Sequence, residues 1–263
     1  MWMARLVKRP SFEQILAFCA EDPIERVFLE DVARRGYGRF AALRDGGRLQ
    51  ALCHLGSNVV PSGEGTDAFA KLATKIVPRM LIGEEQAVGD LWEAVRDRLP
   101  RPLEDRPGQP VYVLDETPSP GESDLRPARI EDLDLLVRTS AAAFYEEVGV
   151  DAYARDPELF TRRTRAQIVD GRSWLWEKDG EVLFKAEASA WTDRAVQLQQ
   201  VWVDPRARRH GFARRGLADL CRLLLARTPA VCLFVRPENQ PAIALYESLG
   251  MRRSGSFRSL IFG

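Results

Sequence analysis

Residues 201–213, VWVDPRARRHGFA, constrain the chain more than any other stretch. A β-branched and aromatic run ends at Val203, Asp204-Pro205 turns the chain, and a basic loop from Arg206 feeds directly into a long amphipathic segment. That order predicts strand, loop and helix, with the loop's N–H groups and the helix dipole converging on one spot. Cations at a helix N-terminus oppose the dipole, so Arg206, Arg208 and Arg209 there ask for an anion to complete the site. Gly211 lets backbone approach a ligand closely, and Ala213 keeps the first turn uncrowded. The physical reading is a diphosphate site without a metal. Neither GxxxxGK[ST] nor GxGxxG occurs, so it is neither a P-loop nor a dinucleotide fingerprint.

A composition break divides the 263 residues. Residues 115–124 read DETPSPGESD, with no apolar periodicity, and are expected to form an exposed linker. The expected units are 1–115, a linker at 116–124, and 125–263. In the first unit Ser11 and Gln14 form a capping box ahead of a helix carrying Ile15, Leu16 and Cys19 on one face. A helix at 23–35 and a hairpin of strands 39–43 and 49–55 around Asp45-Gly46-Gly47 come next. A loop PSGEG, a helix at 66–76, a strand at 79–82, a helix at 87–99 and a strand at 111–114 complete it. The second unit reads strand 125–128, helices 131–144 and 158–168, strands 173–178, 181–190 and 196–203, helix 212–226, strand 231–235, helix 241–249 and strand 257–262. The fold class is α/β with a mixed sheet.

Lys+Arg and Asp+Glu both number 38, which argues against a whole-protein grip on nucleic acid or an anionic membrane. No apolar run approaches the ~18 residues of a membrane span. The N-terminal MWMARLVKRPSFEQ lacks a signal-peptide core, so a cytoplasmic location is expected. Cys19, Cys53, Cys221 and Cys232 sit singly among apolar residues and read as buried thiols. With His54 and His210 the only histidines, no metal centre is expected.

Arg208-Arg-His-Gly211-Phe-Ala213 resembles the [QR]xxGx[GA] acetyl-CoA loop of the GNAT superfamily of acyltransferases. Asn239-Gln-Pro-Ala242-Ile-Ala-Leu-Tyr246-Glu-Ser-Leu-Gly250-Met251 resembles that superfamily's N-x-x-A-x-x-x-Y-x-x-x-G-[FM] motif, and the opening Leu125-Arg-Pro-Ala is typical of it. The resemblance covers about 125–263. The whole chain resembles a group of bacterial proteins in which a degenerate GNAT-like domain precedes the GNAT domain. Phe144-Tyr-Glu-Glu-Val-Gly149 and Phe184-Lys-Ala-Glu187 are the pieces shared with that group. The resemblance implies tandem GNAT-like domains, the second with the full acyl-CoA N-acyltransferase fold.

It also implies roles. Acetyl-CoA is the expected co-substrate, with its pantetheine arm on backbone groups of Val201, Trp202 and Val203. Its diphosphate falls on Arg208, Arg209, His210, Gly211, Phe212 and Ala213, and Asn239 and Ala242 complete the cofactor set. Tyr246, also counted with the cofactor residues, is the expected acid that protonates the leaving thiolate after direct attack by an amine through a tetrahedral intermediate. Many relatives carry a Glu or His base on the fourth strand, whereas the inward positions here are Gln197 and Gln199. Glu187, on the neighbouring strand, is the candidate base, and Glu146 and Glu147 are further carboxylates within reach. Tyr145, Glu146, Glu147 and Gln199 are expected at the acceptor, and paired carboxylates suit a cationic amine, small or peptidic. In the first half Glu64 stands where a diphosphate loop would be, so no CoA site is expected there. Two other readings stay open: CoA binding without turnover, which the missing strand carboxylate suits, and aminoacyl transfer from charged tRNA, against which the zero net charge weighs.

Overall fold

The structure is a computed structural model that describes residues 5–149 and 151–262. Met1–Ala4, the start of the segment read for a leader, lie outside the described residues. The first half runs β1 (Arg5–Val7), α1 (Phe12–Glu21), α2 (Val27–Arg34), β2 (Phe40–Asp45), β3 (Arg48–Leu55) and β4 (Asn58–Gly63). It continues through α3 (Ala70–Ala73), β5 (Met80–Glu84), α4 (Glu85–Val95) and β6 (Glu104–Leu114). The second half runs β7 (Arg126–Pro127), α5 (Leu133–Val148), α6 (Ala152–Arg155), α7 (Pro157–Val169), β8 (Ser173–Lys178), β9 (Glu181–Trp191) and β10 (Val196–Val203). It ends with α8 (Phe212–Leu225), β11 (Val231–Phe234), α9 (Gln240–Ser248) and β12 (Arg252–Ile261).

All these strands join one 12-stranded mixed sheet in the order β1-β2-β3-β4-β5-β12-β6-β11-β10-β9-β8-β7. Exchanging β1 to β6 with β7 to β12 reverses that order onto itself, which is the signature of a tandem duplication about a pseudo-twofold axis. At the centre the halves interleave. β12 lies between β5 and β6 and is antiparallel to both, so β5 and β6 are mutually parallel and are joined by α4. Likewise β6 lies between β11 and β12, which α9 joins. Parallel strands need a crossover of this kind. Each crossover leaves a gap one strand wide, and the other half's last strand fills it.

The cores follow from this crossing. Leu260 and Phe262, next to or on β12, are buried with Leu81, Val88, Leu91 and Val95 of the first half. Val27 of α2 is buried with Val113, Ala190, Ala230 and Cys232. Asp31 of α2 takes both Nη atoms of Arg172 at 2.6 and 2.9 Å, and the two side chains are only 5% and 10% exposed. In the second half, α8 packs its face of Leu217, Leu220, Cys221 and Leu224 on β9 and β10. Gly216 makes that approach possible, because a Cβ there would stand 2.6 Å from the Phe184 ring.

The local chemistry explains where sequence reading holds and where it slips. The capping box forms as expected, with Ser11 N–H donating to Gln14 Oε1 at 3.0 Å and Gln14 N–H to Ser11 Oγ at 3.3 Å. All four thiols are buried, and burial raises those of Cys19, Cys221 and Cys232 to about 12. The PSGEG segment is not wholly loop, because Pro61–Gly63 end β4. Pro61 is tolerated because its carbonyl points to Gly83 on β5, beyond the last β4–β5 pair at Val59↔Leu81. Its missing N–H thus falls where no ladder bond is due. β6 begins at Glu104 rather than 111, and β12 at Arg252 rather than 257. Their extra length is the stretch where they pair with each other, from Arg252↔Val113 to Ile261↔Glu104. β1 and α6, of three and four residues, are too short to give a periodic signal.

The linker is exposed over most of its length but is tied to α8. Asp219 accepts from Gly121 N–H at 2.7 Å, Ser123 N–H at 2.8 Å and Ser123 Oγ at 2.6 Å. Arg215 donates to the Gly121 carbonyl at 2.9 Å, and Arg222 to that of Pro118 at 2.7 Å.

Two outcomes follow from the crossing. The full chain should show one calorimetric unfolding transition, and a chain ending at Gly250, which lacks β12, should show none. Asp31→Ala strands a buried guanidinium and should lower stability by about 3–5 kcal/mol in denaturant titrations.

Candidate active site

β10 and β11 pair in parallel only at Val196↔Val231 and Gln197↔Cys232. Beyond that point they diverge and open a cleft bounded by one edge of β10. A register shift between Gln199 and Trp202 leaves Gln200 and Val201 without β9 partners, and Gln200 has φ +48°. A bulge of this kind turns backbone groups out of the ladder. Val201 and Val203 pack against the core, while Val203's carbonyl accepts from Arg208 Nε at 3.2 Å.

The basic loop continues from β10 into α8. Arg209 and Gly211 have φ +66° and +81°, and a Cβ on Gly211 would meet nothing within 4 Å. Gly211 is the N-cap, and no side chain caps the helix. The first-turn N–H groups, including those of Phe212 and Ala213, have no intrahelical partner. His210 Nδ1 lies 2.8 Å from the Arg208 carbonyl, and the Phe212 ring meets Trp176 edge-on at 4.8 Å. The loop therefore presents a helix end, an open glycine and two arginines together, an arrangement suited to a diphosphate.

Glu146, near the end of α5, reaches this loop rather than Glu187. Its Oε2 accepts from Arg208 Nη2 at 2.6 Å and from Trp202 Nε1 at 3.1 Å. Those bonds, the Arg208 one foremost, hold its carboxyl below the usual range. Glu147, the next residue, turns the other way. Its backbone carbonyl accepts from Arg106 Nη2 at 3.3 Å and from Arg236. Tyr145 is 59% exposed and makes no side-chain hydrogen bond among the described residues.

Glu187 belongs to a buried network. Lys185 Nζ donates to Glu187 Oε1 at 2.6 Å, Ser140 Oγ at 2.6 Å and Gln200 Oε1 at 2.8 Å. Gln199 Nε2 stands 3.4 Å from Glu187 Oε2. Gln197 turns to Ser189, to which it donates at 2.8 Å. The partner of Glu187 is a fully buried lysine, which sequence reading does not assign to the site. Sequence reading also omits Ser140 and Gln200. The spacing of Lys185 and Glu187, two apart on a strand and so on one face, is the signal that could have found the pair.

Tyr246 lies on α9, 6% exposed, with its ring 6.0 Å from that of Tyr112. Its hydroxyl makes no hydrogen bond among the described residues. Burial, helped by the Glu147 charge, pushes its pKa above the usual phenol range. Asn239 caps α9 by accepting from Ala242 N–H at 3.2 Å, and Ala242 packs against the core. Both hold the helix that carries Tyr246.

The first half has the corresponding split, with β4 and β5 paired only at Asn58↔Met80 and Val59↔Leu81. There Glu84 fills the opening, accepting from Ser62 Oγ and, at 3.0 Å, from Gly63 N–H. Glu25 lies nearby, and burial with the charges of Asp22 and Glu84 raises its pKa to about 7. Glu84 and Glu25, more than the Glu64 singled out by sequence, make that cleft hostile to an anion. Among the described residues no group of three His, Cys, Asp or Glu could hold a metal ion, and no helix is long and apolar enough to cross a membrane.

Arg208→Ala with Arg209→Ala should weaken CoA by at least about tenfold in calorimetry, since charge-assisted bonds contribute about 1.5–3 kcal/mol each. Glu146→Gln should act oppositely, releasing Arg208 and tightening CoA about two- to fivefold, the scale of an exposed ion pair.

Residues 137–251 match the Acetyltransferase (GNAT) family, and residues 38–136 match a domain of unknown function (DUF4081). The chain is 32% identical over 154 residues to a mycothiol acetyltransferase of Thermomonospora curvata, covering 58% of this chain and 50% of the relative. It is 30% identical over 156 residues to one of Brachybacterium faecium, covering 54% and 45%. The chain thus spans about half the length of the curated relatives it matches. A GNAT-family acetyltransferase from Colwellia psychrerythraea superposes with TM-score 0.59 at 11% identity, covering 98% of this chain and all of that one. A tandem GNAT protein from the clavulanic acid biosynthesis pathway superposes with TM-score 0.57 at 13% identity, covering 99% of each chain. The chain carries a GNAT acetyltransferase domain over residues 137–251, preceded by a DUF4081 domain over 38–136 that begins in the first half and runs through the linker into α5.

Proposed function

We propose that the protein is an acetyl-CoA-dependent N-acetyltransferase whose second half moves an acetyl group to an amine by direct attack. One observation carries the reading: β10 and β11 part after Gln197↔Cys232, the uncapped, arginine-flanked start of α8 follows β10, and the helix after β11 carries the buried phenol of Tyr246. The family match over 137–251 and the acetyltransferase relatives support the reaction class. The N-terminal half serves as scaffold, and a cytoplasmic protein acting on a small or peptidic amine fits the charge balance.

The residues present fit the co-substrate. The loop Arg208–Ala213 would hold the diphosphate, and the free edge of β10 at Val201–Val203 would pair with the pantetheine arm, as an added strand does. Bound acetyl-CoA supplies an acyl thioester with a thiolate leaving group. Tyr246 stays protonated at neutral pH and holds the proton that the thiolate takes. Backbone N–H groups turned out at the Gln200–Val201 bulge are the donors for the oxyanion. Glu187 keeps Oε2 toward Gln199 while Oε1 is engaged by Lys185 and Ser140, and it is the proton acceptor for the incoming amine. The same lysine pair favours a second reading, CoA binding without turnover, because Lys185 and Ser140 already occupy Glu187 Oε1.

Tyr246→Phe separates the two. With an established acceptor amine, it should keep the CoA dissociation constant within about threefold and lower kcat by roughly 10²–10⁴. Because burial raises the phenol's pKa, the wild-type rate should not fall through Tyr246 ionisation until above about pH 10. Wild-type turnover by the variant would sink the acid assignment. Tight CoA binding with no acetylation of any amine would favour the second reading.

A further inference from the structure

β6 belongs to the first half but lies beside β11, on the side away from β10, so it flanks the second half's opening from one strand away. Val111 pairs with Phe234, and the Pro110 carbonyl takes the Val235 N–H at 3.2 Å. β6 then continues past the end of β11 to Arg106 and Glu104, at the open mouth. There two guanidiniums from different halves converge. Arg106 and Arg236 both donate to the Glu147 carbonyl, and both pair with Glu104, at 2.6 and 3.1 Å.

Two features go beyond capping α5. First, Arg106 is 9% exposed, and its Nε and that of Arg236 are buried with no hydrogen-bond partner. Native structures leave few such donors unmet. Second, among the described residues Glu104 is the one carboxylate in tight contact with the two cations. Glu147 offers Arg106 only a 3.8 Å approach from a side chain that is 53% exposed. The Glu147 charge is felt at Tyr246, so this mouth adjoins the proposed chemistry.

We propose that Arg106 and Arg236 form an anion-reading subsite shared by the two halves, so that the amine acceptor carries a carboxylate or phosphate. The proposal rests on the acetyl-transfer reading for the word acceptor, and it reverses the preference for a purely cationic amine that Glu146 and Glu147 suggest in sequence. Glu146 is committed to Arg208, and the Glu147 carbonyl is committed to the two guanidiniums. The first half then supplies one side of the acceptor's recognition.

The test is calorimetry on the full chain saturated with CoA, using neutral and anionic product-like probes. N-acetylglycine is compared with N-acetylglycinamide, and the phosphate monoester of N-acetylethanolamine with N-acetylethanolamine. Wild type should bind at least one anionic probe about tenfold or more tighter than its neutral partner, the scale of a charge-assisted contact, and the pair that discriminates tells carboxylate from phosphate. Arg236→Gln should bring that ratio to within about twofold. Arg106→Lys, which keeps the charge beside Glu104 but loses the planar fork, should reduce the ratio as well. Equal binding of the partners by wild type, no binding of either anionic probe, or a ratio that survives both variants would overturn the proposal. Acetylation of neutral amines with a ratio near one would leave the acetyl-transfer reading standing alone. A high, Arg236-dependent ratio with no amine ever acetylated would leave the subsite standing without the enzyme.

Discussion

The ladder from Arg252↔Val113 to Ile261↔Glu104 joins the last strand of one half to the last strand of the other. Each strand also pairs outward with a strand of the half it was inserted into: β12 with β5, and β6 with β11. The backbone bonds that complete each half are therefore bonds to the other half. Burial follows the same route, since Leu260 and Phe262 fill the first half's core while Val27 closes the seam near Val113 and Cys232. The Asp31–Arg172 pair, with both side chains nearly inaccessible, fixes α2 across that seam. A break in the central ladder would expose two apolar cores and leave two sheet edges unpaired, which is costly on both counts.

The pseudo-symmetry places two equivalent clefts in one molecule and shows how side chains alone set them apart. Both open after two parallel pairs. In one, Glu84 reaches across and satisfies the amide that a ligand would need. In the other, a bulge frees backbone groups, and the next loop ends in glycine and arginines. The backbone supplies the opening, and charge decides which opening accepts an anion.

The basic loop and the helix after it were legible because both rest on local chemistry: a β-branched run, a turn, an arginine cluster and a glycine. The Ser11 capping box was legible for the same reason. Three kinds of feature were not. β4 ends in Pro61 and Gly63, whose turn character hides a strand that needs no further partner there. β6 and β12 are longer than their apolar runs because each is held along its polar stretch by the other, a contact between residues some 150 apart, such as Gln109 with Ser259. Ser140, Arg106 and Arg236 carry no motif: Ser140 meets Lys185 from a separate helix, and Arg106 meets Arg236 only where the two halves adjoin. Sequence spacing also put Glu146 and Glu147 together at the acceptor, yet neighbours on a helix face different ways, and the structure sends one to Arg208 and the other's carbonyl to Arg106 and Arg236.

The interleaving also bears on how the chain is made. A ribosome releases β5, α4 and β6 long before β12 exists, and two strands meant to stand one strand apart, roughly 9–10 Å, must wait with facing edges bare. During that interval the first half cannot reach its final hydrogen-bonded state, however fast its helices form. Pairing β5 directly with β6 would satisfy those edges in the wrong register and would have to be undone when β12 arrives. Folding of this chain is thus completed from its C-terminal end backwards, and its nascent form is a natural client for chaperones that shield strand edges.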